Sequence, residues 1–399
     1  MATIVTTQAE LDAALASGVP YIDIDSPAGV LIEVTANGSS TVTATGSSTV
    51  TAYDSSTVRA TGSSTVRAYD SSTVTATGSS TVTAYSSSTV TATGSSTVTA
   101  TGSSTVTAYD SSTVRAYDSS TVTATGSSTV TATGSSTVTA YSSSTVTATG
   151  SSTVTAYSSS TVTANGSSTV TAYDSSTVTA YDSSTVTAYD SSTVTATGSS
   201  TVTAYSSSTV TANGSSTVTA YDSSTVTATG SSTVTAYSSS TVTATGSSTV
   251  RASRYVAVHL HDARVTVDGG VVIDVTKVDR TSIDGWIDYY GPDGNDDGTI
   301  TVYKQVDENL TAGHQWTPTT YAVGTKVKAA DWQPTAECGN GLHFSPTPQH
   351  TFTYADYENP RFLECRVKAA NFVALGDKIK AKSCVVVREL DQHGKPVQS

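Results

Sequence analysis

The chain has 399 residues, and its 32 acidic side chains against 19 basic ones give a net charge of −13. That balance argues against nucleic acid as a partner and favours solubility. Three cysteines are too few for a disulfide framework, no apolar run nears the ~18 residues of a membrane helix, and no secretory signal is visible from Met1 to Val5.

Thr6 to Leu15 reads as a short helix. Thr7 is its expected N-cap with Glu10 three residues on, the spacing of a capping box, and Leu11, Ala14 and Leu15 form the apolar stripe. Tyr21 to Ile24 reads as a strand. Leu31 to Gly38 is a degenerate copy of the repeat that follows, with Ile32, Val34 and Ala36 inward. Residues 1–38 are therefore expected to be an N-terminal cap, because a helix over an apolar first coil blunts edge-to-edge growth.

From Ser39 to Arg254 one phrase recurs, Ser-Ser-Thr-Val-Thr-Ala followed by Thr, Tyr or Asn and then Gly, Asp or Ser. Octads begin every eight residues from Ser39 to Ser247, 27 copies in all. Ser40, Val42 and Ala44 alternate with Thr41 and Thr43, which is strand periodicity with a small, mostly apolar inner face. The residues after Ala are turn formers, and Gly supplies positive φ there. One octad is too short to close a coil, whereas two make strand-turn-strand-turn. The tyrosines support this: Tyr141, Tyr157, Tyr173, Tyr189, Tyr205, Tyr221 and Tyr237 lie sixteen apart, while Tyr53, Tyr69 and Tyr85 fall on the other parity. The expected fold is all-β, a parallel β-solenoid of 16-residue two-strand coils over residues 39–254. At ~4.8 Å per coil it would be about 65 Å long. Each inward serine hydroxyl needs a partner, because a buried unpaired one costs about 1–3 kcal/mol.

Tyr255 to Asp262 continues the octad with Val256, Val258 and Leu260 inward. Val265 and Val267, then Val271, Ile273 and Val275, alternate one residue out of phase, so residues 255–278 read as irregular end coils with a bulge near Asp262. His259 and His261 share a strand face; a metal is conceivable, but solvated side chains on an end coil are the expectation.

Residues 279–298 read as a Gly/Asp-rich linker and 299–399 as a small α+β domain, with strands at Ile300–Val306, Lys326–Ala329, Leu342–Phe344, Phe362–Val367 and Cys384–Leu390. Asp293-Gly294-Asn295-Asp296-Asp297-Gly298 has half the spacing of a calcium loop, but Lys304 stands where the bidentate Glu belongs, so a polar turn is expected and no metal or other cofactor. Cys338 and His343, within Cys-Gly-Asn-Gly-Leu-His-Phe, have the residue types of a thiolate-imidazole pair. A structural turn with a packed histidine is favoured over that pair. The three cysteines are expected as free thiols.

Two resemblances add to this. The repeat, on Ala44-Thr45-Gly46-Ser47-Ser48-Thr49-Val50-Thr51 and its tyrosine ladder, resembles the central domain of bacterial ice nucleation proteins. Both halves of the coil here carry Thr-Val-Thr. The C-terminal phrases Val302-Tyr303-Lys304, Cys338 to Phe344 and Cys384 to Glu389 look like an uncharacterised domain seen in bacteriophages and actinobacteria. That likeness brings no known activity but would fit a phage or prophage gene; with no signal peptide visible, the location is left as cytoplasmic or phage-associated.

The expectation is a non-enzymatic rod whose Thr-x-Thr ladders organise water or bind ice. Arg59, Arg67, Arg115 and Arg251 replace threonine, so the cleanest stretch begins at Thr121. Its candidate residues are Thr121, Thr123, Thr129, Thr131, Thr137, Thr139, Thr145, Thr147, Thr153, Thr155, Thr161, Thr163, Thr169 and Thr171. The expected partners are ordered water or ice, with side-by-side or end-to-end self-association. A rigid spacer presenting a C-terminal binding domain is the competing reading, and an enzyme or toxin with chemistry near His343 is a third.

Overall fold

Each octad builds one four-residue strand, Thr-Val-Thr-Ala, and one four-residue turn. In the computed structural model, which describes residues 3–397 except 20, 28, 29, 31, 39, 314–316, 356 and 393, strand Thr121–Ala124 runs parallel to Thr105–Ala108 and Thr137–Ala140. It pairs Thr on Thr, Val on Val and Ala on Ala. The next strand, Thr129–Ala132, pairs instead with Thr113–Ala116 and Thr145–Ala148. Partners are thus sixteen residues apart, and two octads make one turn of an all-β parallel solenoid of about 17 coils. Leu31 and Ser39, which open the first two expected octads, lie outside the described residues.

The core between the two sheets is thin and fully dry: from Val50 to Val250 every inward Val and Ala of an octad has no exposed surface, apart from the partly buried Ala252 that follows. Ser40, expected inward, is exposed, but from Ser48 to Ser248 the inward serines are equally buried, and each finds its partner locally. Ser160 Oγ donates to Tyr157 O at 2.6 Å, Ser168 Oγ to Asn165 O at 2.8 Å and Ser200 Oγ to Thr197 O at 2.8 Å. The hydroxyl closes the corner that precedes its own strand.

From Gly46 to Gly246 the last residue of each octad lies in the left-handed region, at φ 71° for Gly150, 51° for Asp174 and 59° for Ser142. Glycine meets that requirement without strain. Aspartate also fits where it stacks on glycine, because its carboxylate takes up an amide of the adjacent coil. Asp110 Oδ2 accepts from Gly94 N at 3.2 Å, and Asp118 Oδ2 from Gly102 N at 3.2 Å.

At the N-terminal end, helix α1 (Gln8–Ala16) is capped as expected, with Thr7 and Glu10 completing a capping box. Leu11 and Ala14 are buried, whereas Leu15, expected in the stripe, is exposed. Ile32, Val34 and Ala36 point inward. A strand not expected from the sequence, Thr3–Val5, pairs with Ile22–Asp25.

The other end departs from expectation in its register. One long strand, Thr249–Leu260, serves both sheets, pairing first with Thr233–Ala236 and then with Thr241–Ala244. The irregularity falls between Ala252 and Ala257 rather than near Asp262, and the facing strand turns its corner at Gly269–Gly270, both at positive φ. This register sets Val272 opposite the buried Val258. Val271, Val272 and Ile273 on this last strand are nevertheless all exposed.

The contact pattern divides the chain into two units, Met1–Asp274 and Val275–Ser399. The second unit is β-rich. An antiparallel sheet runs in the order Thr299–Val306, Arg361–Lys368, Ser383–Leu390, Lys326–Lys328, and a smaller one in the order Leu342–Phe344, Ile379–Ala381, Phe372–Ala374. Its α-helix lies before Thr299. The segment 279–298, read as a linker, contains helix α2 (Ile283–Tyr290), capped by Ser282 at one end and by Gly291 at φ 54° at the other. Ile283, Trp286, Ile287 and Tyr290 have the i, i+3, i+4, i+7 spacing of an amphipathic helix, and Trp286 is completely buried against Tyr290 and Phe372. Asp284, Gly285 and Asp288 on its other face concealed that stripe.

Candidate functional site

The fourteen candidate threonines separate into two ladders on opposite sheets. Thr121, Thr123, Thr137, Thr139, Thr153, Thr155, Thr169 and Thr171 share one sheet. Thr129, Thr131, Thr145, Thr147, Thr161 and Thr163 share the other. In each of these strands the first threonine is exposed and the second half-buried, while Val and Ala between and after them are buried. Threonine suits this place twice over: it is β-branched, and it carries one methyl and one hydroxyl outward.

Arginines divide the two sheets unequally. On the Thr121 sheet, Arg59 pairs with Thr43 and Thr75, and Arg251 with Thr235. Between them, eleven strands from Thr73–Ala76 to Thr233–Ala236 carry threonine at both outer positions. On the Thr129 sheet, Arg67 and Arg115 both intervene, and the uninterrupted run is eight strands, from Thr129–Ala132 to Thr241–Ala244.

The tyrosines form ladders at the turns. Tyr141 to Tyr237 stack in sequence with ring centroids 4.9–5.1 Å apart and planes within 11° of parallel. Tyr53, Tyr69 and Tyr85 stack at 4.7–4.9 Å on the opposite edge. The stacking distances are close to the ~4.8 Å between paired strands. Burial pushes the Tyr173 hydroxyl pKa up, and neighbouring Tyr189 and Tyr157 add to the effect.

A cleft of about 490 Å³ occupies the second unit. Lys304, on Thr299–Val306, shares the inward register of Ile300, Val302 and Val306. Its Nζ donates to His343 O at 3.0 Å and lies 5.4 Å from the Tyr321 ring centroid and 5.9 Å from that of Phe344. Burial lowers its pKa to about 8. Lys378 contributes a second cation, its Nζ 4.0 Å from the Tyr354 ring centroid. His343 faces the same cleft. Burial and then Lys304, Lys378 and Lys380 lower its pKa to about 4, so the ring is neutral at pH 7. Its Nε2 accepts from Gly339 N at 3.4 Å. Cys338 lines the cleft as well and is exposed, but the hydrogen bond to the imidazole comes from the Gly339 amide rather than from that thiol. All three cysteines are free, and burial raises the pKa of Cys365, which is hydrogen-bonded to Cys384.

Lys380 is fully buried and shapes the cleft from behind. Its Nζ bonds Glu337 O at 2.8 Å and Thr335 Oγ1 at 3.3 Å, tying the Cys338–Gly341 loop to the small sheet. Gly341 is required beside it, since a Cβ there would come within 2.6 Å of Lys380 Cγ.

Residues Asp293–Gly298 form a hydrogen-bonded turn. Asn295 N donates to Thr299 O at 2.8 Å, and Asp297 Oδ1 accepts from Thr299 N at 3.1 Å and from Thr299 Oγ1. No group of three or more His, Cys, Asp or Glu side chains able to hold a metal ion occurs among the described residues. His259 extends the outer threonine row, pairing with Thr243, while His261 N donates to Ala244 O. No helix among the described residues is long and apolar enough to cross a membrane.

The fold and these surfaces define a β-solenoid displaying threonine and tyrosine ladders, joined to a β-rich unit with a cationic cleft. Residues 300–395 of that unit match the model of a family described as a domain of unknown function, DUF7666. No curated protein matches the chain, and no solved structure matches it.

Proposed function

We propose that the solenoid acts through its surface, as a non-enzymatic array that organises water in an ice-like layer and so binds or nucleates ice. The observation that carries this reading is the eleven-strand run of paired threonines between Arg59 and Arg251. Hydroxyls and methyls recur along each strand at about 7 Å and from coil to coil at the ~4.8 Å of paired strands. A rigid lattice of this kind holds water without the reorganisation a mobile surface needs. The Thr121 sheet is the better surface, because a bulky guanidinium interrupts it only near its ends. The test is the freezing temperature of buffer droplets with and without the full chain. A rise supports nucleation, and freezing at the temperature of plain buffer together with no thermal hysteresis contradicts the reading.

A second reading has its own support. The second unit holds a separate core and a cleft, and the family match covers that unit and none of the repeat. A stiff solenoid that displays such a unit, in a phage or prophage assembly, would need the ladders only for rigidity. It predicts no ice effect and capture of a partner by residues 299–399.

A further inference from the structure

We propose that the cleft of the second unit is a binding site for a small organic anion. Its carboxylate or phosphate group would pair with Lys304 and Lys378, and its ring or apolar body would lie against Tyr321, Phe344 and Tyr354.

The first observation is an unmatched cation. Lys304 points inward from a core strand, and among the described residues neither it nor Lys378 has a carboxylate within salt-bridge distance. An ammonium has three donor hydrogens, and Lys304 uses one on His343 O. Its other neighbours are two aromatic rings, the buried thiols Cys365 and Cys384, and Lys378, and the rings offset a buried charge only in part. The depressed pKa reports that cost. An anion in the cleft would remove it.

The second observation is the sign of the walls. In a chain of net charge −13, the charged described residues lining this cleft are Lys304, Lys378 and a single carboxylate, Asp331. Asp331 Oδ2 faces the Thr317 hydroxyl at 3.5 Å. His343 adds no charge, because its ring stays neutral. Behind these walls Asp377 is hydrogen-bonded to Tyr354 and the buried Lys380 acts on His343, so three cations stand against two carboxylates and the site stays net positive.

The third observation is size and surface. A volume of about 490 Å³ falls in the range of small-molecule sites. Tyr321 and Phe344 meet edge to face and are buried, so they form the floor, while the Tyr354 ring lies under Lys378. Such a site favours a ligand with an anionic head and a flat or apolar body over inorganic phosphate.

The test titrates the full chain calorimetrically with phenyl phosphate, with benzoate and with neutral benzyl alcohol, using Lys304→Met and Lys378→Gln variants. Saturable binding of either anion, with benzyl alcohol weaker by about tenfold or more, is expected, and the preferred anion tells phosphate from carboxylate. Each variant should weaken that binding about tenfold. Affinity should also fall as pH rises through about 8, where Lys304 loses its proton. Lys304→Met replaces the amine by an apolar chain among rings. Should it not fold, the half-buried Lys378→Gln carries the same test. Failure of both anions to bind at millimolar concentration, equal binding of benzyl alcohol, or unchanged affinity in the folded variants would overturn the proposal.

Discussion

Arg59 stands directly opposite Thr75 on the neighbouring coil. That pair marks where the long threonine array of the Thr121 sheet begins. Arg59→Thr would carry it through Thr57 to Thr43, adding two coils. Arg67→Thr on the other sheet would extend a run that Arg115 still interrupts. If the array organises water, Arg59→Thr should raise the droplet-freezing temperature more than Arg67→Thr does. Equal effects would remove the basis for preferring one sheet.

The serine ladder sets local stability. Ser160→Ala removes the hydroxyl that Tyr157 O accepts from at 2.6 Å and should cost about 1 kcal/mol in chemical unfolding. Ser160→Leu would force a large side chain into a fully buried place between coils and should cost several times as much, at the upper end of the ~1–3 kcal/mol or more known for overpacking.

Turn glycines and their aspartate or serine counterparts should respond in opposite directions. Gly246 sits at φ 68°, and a Cβ there would come within 2.8 Å of Gly230 O, so Gly246→Ala should destabilise by about 1–2 kcal/mol. Ser158 occupies φ 50° without needing its side chain for the ladder, so Ser158→Gly should be neutral or slightly stabilising in the same unfolding experiment.

The solenoid should weaken in alkali. The Tyr173 pKa is raised on folding, so the folded state holds its proton more tightly than the unfolded one. Its stabilising effect is fully present below the ordinary tyrosine pKa of ~10 and is lost as pH rises through the folded value. The denaturation midpoint of the repeat should therefore fall above pH ~10, and Tyr173→Phe should blunt that fall.

The second unit should weaken in acid. His343 titrates at about 4 when folded, below its ordinary value of 6.5, so the unfolded chain binds the extra proton first. Stability should decline as pH drops from 6.5 towards 4, and His343→Gln should flatten the profile. All three tryptophans lie in this unit, with Trp286 in its core, so tryptophan fluorescence follows it separately from the repeat.

The repeat was legible because its physics is local and repeated. Val42 and Ala44 alternate with Thr41 and Thr43, and tyrosines sixteen residues apart mark one edge of a two-octad coil. The inequality of the two sheets was less plain, since it depends on the parity of Arg59, Arg67, Arg115 and Arg251 once strands are assigned to sheets. The cleft was hidden because Lys304, His343 and Lys378 meet only through long-range pairing of the small strands. One signal was present: Ile300, Val302, Lys304 and Val306 alternate on one face, and a lysine in an inward register is an unusual residue. Helix α2 was masked by Asp284, Gly285 and Asp288 among its apolar positions.

The most direct measurement compares two fourfold variants of the full chain in freezing droplets. One carries arginine at Thr123, Thr139, Thr155 and Thr171, and the other at Thr131, Thr147, Thr163 and Thr179. The repeat already holds single arginines at this position in Arg59, Arg67, Arg115 and Arg251, and because four stacked ones repel one another, circular dichroism is to confirm that both variants fold equally. The expected result is a raised freezing temperature for the unmodified chain, lost in the first variant and largely kept in the second. Droplets that freeze no warmer than plain buffer, or an identical loss in both variants, would contradict it.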